Sequence, residues 1–122
     1  MSSAKILLVD DEPILLKAVE FKLQKEGLEV ITATSGEEAI EKLQGTQSYD
    51  LIISDVMMPG LSGIELLKIV KEKDESMKVL LLTGLKTEDT VVDAFDLGAD
   101  DFMTKPFNPK ELVLRVKKLL KS

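Results

Sequence analysis

A three-layer α/β sandwich built on a parallel sheet is predicted by three observations along this 122-residue chain. Short β-rich runs at about residues 5–9, 28–33, 50–54, 78–82 and 100–104 are each followed by a helical pattern. Runs such as Val79-Leu80-Leu81-Leu82 and Leu51-Ile52-Ile53 do not alternate polar with apolar, as strands covered by helices on both faces should not. The boundaries are punctuated by caps, so the rhythm is strand then helix, repeated to the end of the chain.

The helix starts carry Ser35 with Glu38 three residues on, Ser62 with Glu65, and Asn108 followed by Pro109 and Glu111. The helix ends carry Gly27, Gly45 and Gly98, expected to take the left-handed conformation. In the first helix Leu15 and Val19 are expected to be core, and Lys17, Glu20 and Gln24 lie opposite. Ile14, Ala18 and Phe21 form a flanking stripe.

With 44% hydrophobic residues, the length suits one domain over residues 1–122 with a single core. No window of about 18 residues is free of charge, and Met1 to Lys5 contains no apolar leader, so a cytoplasmic protein without a membrane partner is expected. Zero cysteines and zero histidines exclude disulfides, thiol catalysis and imidazole chemistry, leaving oxygen ligands, lysine and hydroxyls. The net charge of −6 argues against direct nucleic-acid binding, and the basic cluster Lys117, Lys118 and Lys121 suits the negative end of a helix.

Charged groups stand where apolar runs end: Asp10-Asp11 after Ile6–Val9, Asp55 after Leu51–Ser54, and Lys105 after Phe102–Thr104. Parallel strands bring these ends to one edge, where an open α/β sheet binds its ligands. Two carboxylates about 4 Å apart repel by roughly 4 kcal/mol at an effective dielectric of 20, so the group favours a shared proton or a bound cation. All-oxygen donors suit a hard ion, Mg2+ above others. Taken singly, Asp10-Asp11 could cap a helix, Asp55 could start a turn, Lys105-Pro106 could be a surface turn, and Thr83-Gly84 could close a strand. Their joint placement at strand ends outweighs those readings.

The segments Leu8-Val9-Asp10-Asp11-Glu12-Pro13, Asp55-Val56-Met57-Met58-Pro59-Gly60, Thr83-Gly84 and Lys105-Pro106-Phe107 resemble the receiver domain of bacterial two-component response regulators. The resemblance covers about residues 4–120. It implies a flavodoxin-like (βα)5 fold with strand order 2-1-3-4-5, and Mg2+ held by Asp11, Asp55 and the Met57 carbonyl with Asp10 helping through water. Asp55 would accept a phosphoryl group from the phosphohistidine of a histidine kinase or phosphotransfer protein, with Lys105 and Thr83 assisting. The domain would then be no enzyme in the ordinary sense but a phosphoacceptor that catalyses its own phosphotransfer and autodephosphorylation. Thr83 and Phe102, a position where tyrosine is common, would switch the face formed by the fourth helix, fifth strand and fifth helix. That face is also where a weak dimer would form, if the domain is not monomeric. A downstream output protein or an effector domain would read the result.

Other expectations are particular to this chain. Met57 and Leu85 flank the expected phosphoryl pocket, and neither can orient an attacking water, so slow autodephosphorylation is expected. Ile14, Ala18, Phe21, Pro106 and Phe107 are the expected partner surface, and the family resemblance makes Lys105-Pro106 a candidate cis peptide. Among competing functions, a haloacid-dehalogenase-like phosphatase wants a second acid where Met57 stands. A flavodoxin wants a hydroxyl- and glycine-rich loop where Asp10-Asp11-Glu12 stands, and a P-loop enzyme wants a motif absent here. A phosphorylation-independent interaction module on the same fold is the remaining alternative.

Overall fold

In a computed structural model, which describes residues 4–84 and 94–121, five parallel strands form one sheet in the order β2-β1-β3-β4-β5. The strands are β1 (Lys5–Val9), β2 (Glu29–Ala33), β3 (Leu51–Asp55), β4 (Lys78–Thr83) and β5 (Asp101–Thr104). Helices α1 (Pro13–Lys25), α2 (Gly36–Leu43), α3 (Gly63–Lys73) and a C-terminal helix (Pro109–Lys121) cover its faces. Of the expected fourth helix, the turn at residues 94–96 lies within the described residues.

The strand residues divide between two cores, which is why the runs do not alternate in polarity. Ile6, Leu8, Leu51, Ile53, Leu80, Leu82 and Met103 pack with α1 and the C-terminal helix. Leu7, Val9, Ile52, Val79 and Leu81 pack on the other side with α2 and α3. The two-residue period of a strand sorts them.

The predicted caps are present. Ser35 Oγ accepts from Glu38 N at 3.0 Å, and Ser62 and Glu65 form a reciprocal capping box at 3.1 Å on both arms. Asn108 Oδ1 accepts from Lys110 N at 2.8 Å. Gly27 and Gly98 take positive φ as predicted, 84° and 101°. Gly45 does not: α2 closes on the right-handed Gln44, and Gly45 N–H bonds Lys42 O at 3.2 Å, so no left-handed residue is needed. Gly60, in the loop after β3, has φ 77° instead. In α1, Val19 is buried as predicted, but Leu15 is only half-buried; Leu16 and Leu23 complete the buried stripe, because the helix is rotated slightly about its axis relative to the expected face.

Gly63, the first residue of α3, lets that helix press on the end of β3. A Cβ there would meet the Asp55 carbonyl oxygen at 2.1 Å and Val56 Cα at 2.8 Å. The backbone also binds itself at this point, with Gly63 N–H donating to Val56 O at 2.9 Å. Gly63→Ala must therefore displace α3 or the end of β3, at a cost of about 2–3 kcal/mol by the usual penalty for overpacking. Denaturant midpoints of the two proteins check this; an unchanged midpoint would show that the contact relaxes freely.

Candidate functional site

The strand order reverses between β1 and β3, and the residues that leave these neighbouring strands are Asp10 and Asp55. Sheet-like hydrogen bonding continues past the strand ends: Asp10 N to Ala33 O at 3.1 Å, Val56 N to Leu82 O at 2.8 Å, and Lys105 N to Thr83 O at 2.7 Å. The pleat therefore persists through the site. Asp10, Asp55 and Lys105 continue the alternation set by Ile6-Leu8, Leu51-Ile53 and Met103, which brings all three to the same side.

The outcome is a three-way ion pair. Lys105 Nζ lies 3.1 Å from Asp10 Oδ2, 3.1 Å from Asp55 Oδ2 and 3.0 Å from Glu12 Oε1. Asp10 and Asp55 are only 2% and 4% exposed. Glu12 N–H donates to Asp10 Oδ1 at 2.9 Å and Met57 N–H to Asp55 Oδ1 at 3.3 Å, so both buried acids also hold backbone donors. The Lys105-Pro106 peptide is cis, as the family resemblance implied.

Burial raises the Asp55 carboxyl above the ordinary aspartate range; the Lys105 ammonium opposes this and the Asp10 charge adds to it. For Lys105 burial favours the neutral amine, but the hydrogen bonds it donates to Glu12, Asp10 and Asp55 outweigh it and hold the ammonium above the ordinary lysine range. The site thus sets a carboxyl shifted upward by burial beside an ammonium that its carboxylate partners keep charged. That combination suits an oxygen nucleophile whose charge must be balanced locally.

Asp10, Asp11, Glu12 and Asp55 each place a carboxylate oxygen within 4.8 Å of the others. Such hard donors, two buried and two exposed to water, fit a divalent cation that keeps part of its hydration shell. Glu12 was missed as a site residue. Its only sequence signal was the third acid of Asp10-Asp11-Glu12, more than a helix start requires.

The remaining predicted residues are distributed around this edge. Thr83 is wholly buried at the end of β4, paired in register with Thr104. Met57 is 55% exposed in the loop after Asp55. Phe102, on β5 opposite Leu81, is half-buried, and its ring lies 6.4 Å from that of Phe95 at 45°. Ile14 and Phe21 are 88% and 63% exposed, and the Lys25 ammonium sits 5.3 Å from the Phe21 ring centre. A cavity of about 430 Å³ lies between α1 and the start of the C-terminal helix, with Leu15, Ala18, Lys105, Pro106 and Phe107 in its wall. Leu85 lies outside the described residues. Among the described residues, no helix is long and apolar enough to cross a membrane.

Known proteins resemble this chain in sequence and in fold. The family profile described as response regulator receiver domain matches residues 6–117. The chain is 44% identical over 117 residues to the alkaline phosphatase synthesis transcriptional regulatory protein PhoP of Bacillus subtilis (strain 168), covering 96% of this chain and 48% of that protein. The chain spans about half the length of the full-length relatives it matches. Among solved structures, the CheY-like receiver domain protein from Methanospirillum hungatei JF-1 superposes with a TM-score of 0.93 at 31% identity, covering 98% of this chain and 95% of that one. The response regulator TrrA from Thermotoga maritima, solved in complex with Mg(2+)-BeF, superposes with a TM-score of 0.86 at 40% identity, covering 95% and 98%. On sequence and on structure alike, this chain belongs to the response regulator receiver domain family.

Proposed function

We propose that residues 1–122 form a single phosphoacceptor domain in which Asp55 takes a phosphoryl group from a histidine kinase or histidine phosphotransfer protein in a Mg2+-dependent reaction. The observation that carries this is the convergence of Lys105 on Asp10, Glu12 and Asp55 at the sheet edge. An oxygen of the Asp55 carboxylate attacks phosphorus, the bond to the donor nitrogen breaks, and the aspartyl phosphate forms. Transfer of this kind depends mostly on positioning and on neutralising equatorial oxygen charge. The Lys105 ammonium is held where it can pair with a phosphoryl oxygen, and the Thr83 hydroxyl stands at the neighbouring strand end as a donor. Asp10, Asp11, Asp55 and the Met57 carbonyl would hold Mg2+, which when bound supplies positive charge against both carboxylates and phosphoryl group. The Mg(2+)-BeF complex of TrrA supports that assignment by analogy. Incubation with Mg2+ and acetyl phosphate followed by intact-mass analysis tests it: wild type should gain one phosphoryl group, and a chain that gains none overturns the reading.

The added phosphoryl group brings about −1.5 to −2 charges and three acceptor oxygens, enough to draw Lys105 and Thr83 toward it. Phe102 then follows behind Thr83, and the face built from the fourth helix, β5 and the C-terminal helix changes, whether read by an output protein, an effector domain or a second copy in a weak dimer. The cysteine-free composition suits a cytoplasmic setting.

Met57 is apolar and exposed beside Asp55, so it cannot orient water for attack on the phosphoryl group. The phosphoform should persist for hours in Mg2+, followed by mass spectrometry after removal of acetyl phosphate; decay within seconds contradicts this.

The partner surface is the α1 stripe Ile14, Ala18 and Phe21 with Pro106 and Phe107. Exposed large apolar side chains beside a groove that Lys105 helps to line suit a docking helix bundle. Ile14→Asp combined with Phe21→Asp should lower transfer from the cognate kinase at least tenfold, as expected for loss of apolar anchors. Phosphorylation by acetyl phosphate should stay as in wild type, and equal loss of both would place the defect in the site rather than in docking.

A further inference from the structure

The loop from Val56 to Ser62 carries the Met57 carbonyl, and it is held by α2, which packs on the same side of the sheet as α3. Glu37 Oε2 accepts a hydrogen bond from Leu61 N–H at 3.0 Å, although the two residues are 24 apart in sequence. The same carboxylate lies against Gly60: a Cβ at that position, where φ is 77°, would meet Glu37 Oε2 at 2.7 Å. The preceding residue, Gly36, is buried against Leu61, whose carbonyl oxygen would be 2.7 Å from an added Cβ. The first turn of α2 and residues 60–61 are therefore closely fitted at two adjacent points.

Glu37 is well placed to act as a tether. It stands in the first turn of α2, where the helix dipole favours a negative charge, and its bond to an amide is charge-assisted. The other hydrogen bonds of this loop in the described residues sit at its ends: Val56 N to Leu82 O, Met57 N to Asp55 Oδ1, Gly63 N to Val56 O, and the Ser62–Glu65 box. Between Met57 and the Ser62 cap, the side-chain bond to another element among the described residues is the one from Leu61 N–H to Glu37.

We infer that Glu37 is a positioning residue for the cation site, fixing through Leu61 N–H and the close fit at Gly60 the β3–α3 loop on which the Met57 carbonyl lies. The inference rests on the proposed Mg2+-dependent role of that cluster. Glu37 touches neither ion nor phosphoryl group and acts through the backbone.

Isothermal titration of the purified chain with MgCl2 tests this. Glu37→Ala should weaken Mg2+ binding roughly tenfold, the usual size of an effect exerted through a ligand's support rather than the ligand. Glu37→Gln keeps an acceptor for Leu61 N–H and should recover most of the affinity. Glu41→Gln, one turn further along α2 and exposed, removes the same charge without touching the loop and should bind as wild type. Three results overturn the inference: Glu37→Ala binding as tightly as wild type; Glu37→Gln being as weak as Glu37→Ala; and Glu41→Gln weakening as much as Glu37→Ala, which would mark a long-range charge effect. Failure of wild type itself to bind Mg2+ would instead sink the proposed function, so the two failures are separable.

Discussion

Asp55→Asn will take up no phosphoryl group from acetyl phosphate in Mg2+, and in a chelating buffer it will be more stable than wild type at neutral pH. The first half follows from the nucleophile: an amide oxygen cannot form the acyl phosphate. The second half follows from burial. Asp55 is 4% exposed, burial raises its carboxyl above the ordinary range, and Asp10 beside it adds to the shift against the pull of Lys105. A folded-state value above the unfolded one means that Asp55 favours folding in acid and loses that contribution as pH rises through its folded value. At neutral pH the ionised carboxylate is thus a burden that asparagine removes, with a gain on the order of 1 kcal/mol, as is common where a functional site is relaxed. The advantage should disappear below the ordinary aspartate range, where both side chains are neutral. Denaturant unfolding across pH checks the stability claim, and intact-mass analysis the chemical one. A phosphoryl adduct on the variant would place the acceptor elsewhere, and a pH-independent difference would remove the electrostatic cause.

Lys105→Ala will be the most destabilising single change at the site when no divalent cation is present. It strips the shared counter-ion from Asp10 and Asp55, both buried, and from Glu12. Breaking a buried pair by removing one partner costs about 3 kcal/mol, because a charge is left in low dielectric without compensation. The raised lysine value means that its contribution is complete below the ordinary lysine range and is lost only as pH climbs through the folded value. Wild type should therefore show no loss from this source near neutrality, whereas the variant should recover as acid protonates its carboxylates. Saturating Mg2+ should restore part of the loss in the variant, because a cation bound to the folded state alone shifts unfolding by mass action. Phosphorylation by acetyl phosphate should slow on the order of a hundredfold, as for loss of one preorganised charge-stabilising donor. A stability unaffected by Mg2+ in both proteins would argue that the cluster holds no cation.

Much of this site was legible because its parts stand at strand ends. Asp10, Asp55, Thr83 and Lys105 each follow an apolar run, and parallel pairing leaves those ends no choice but one edge. The capping box at Ser62 and Glu65 was legible for the same reason: its partners are three residues apart, within reach of local geometry. Glu12 was not, because what makes it part of the site is an ammonium 93 residues away. Glu37 was not either, because its partner amide lies on another element.

Local periodicity and end signals thus determined five strands, their two-sided burial, the helix starts at Ser35, Ser62 and Asn108, and which charged groups stand at the strand ends. Tertiary structure alone decided which faces and distances resulted: that Leu16 and Leu23, not Leu15, fill the α1 stripe; that Gly60 rather than Gly45 takes the left-handed turn; that Lys71 on α3 reaches Asp100 ahead of β5 at 3.0 Å; and that one lysine gathers three carboxylates. The physical reason is range. Capping and periodicity depend on neighbours a few residues apart, whereas ion pairs and close packing depend on how whole elements rotate and settle against the sheet.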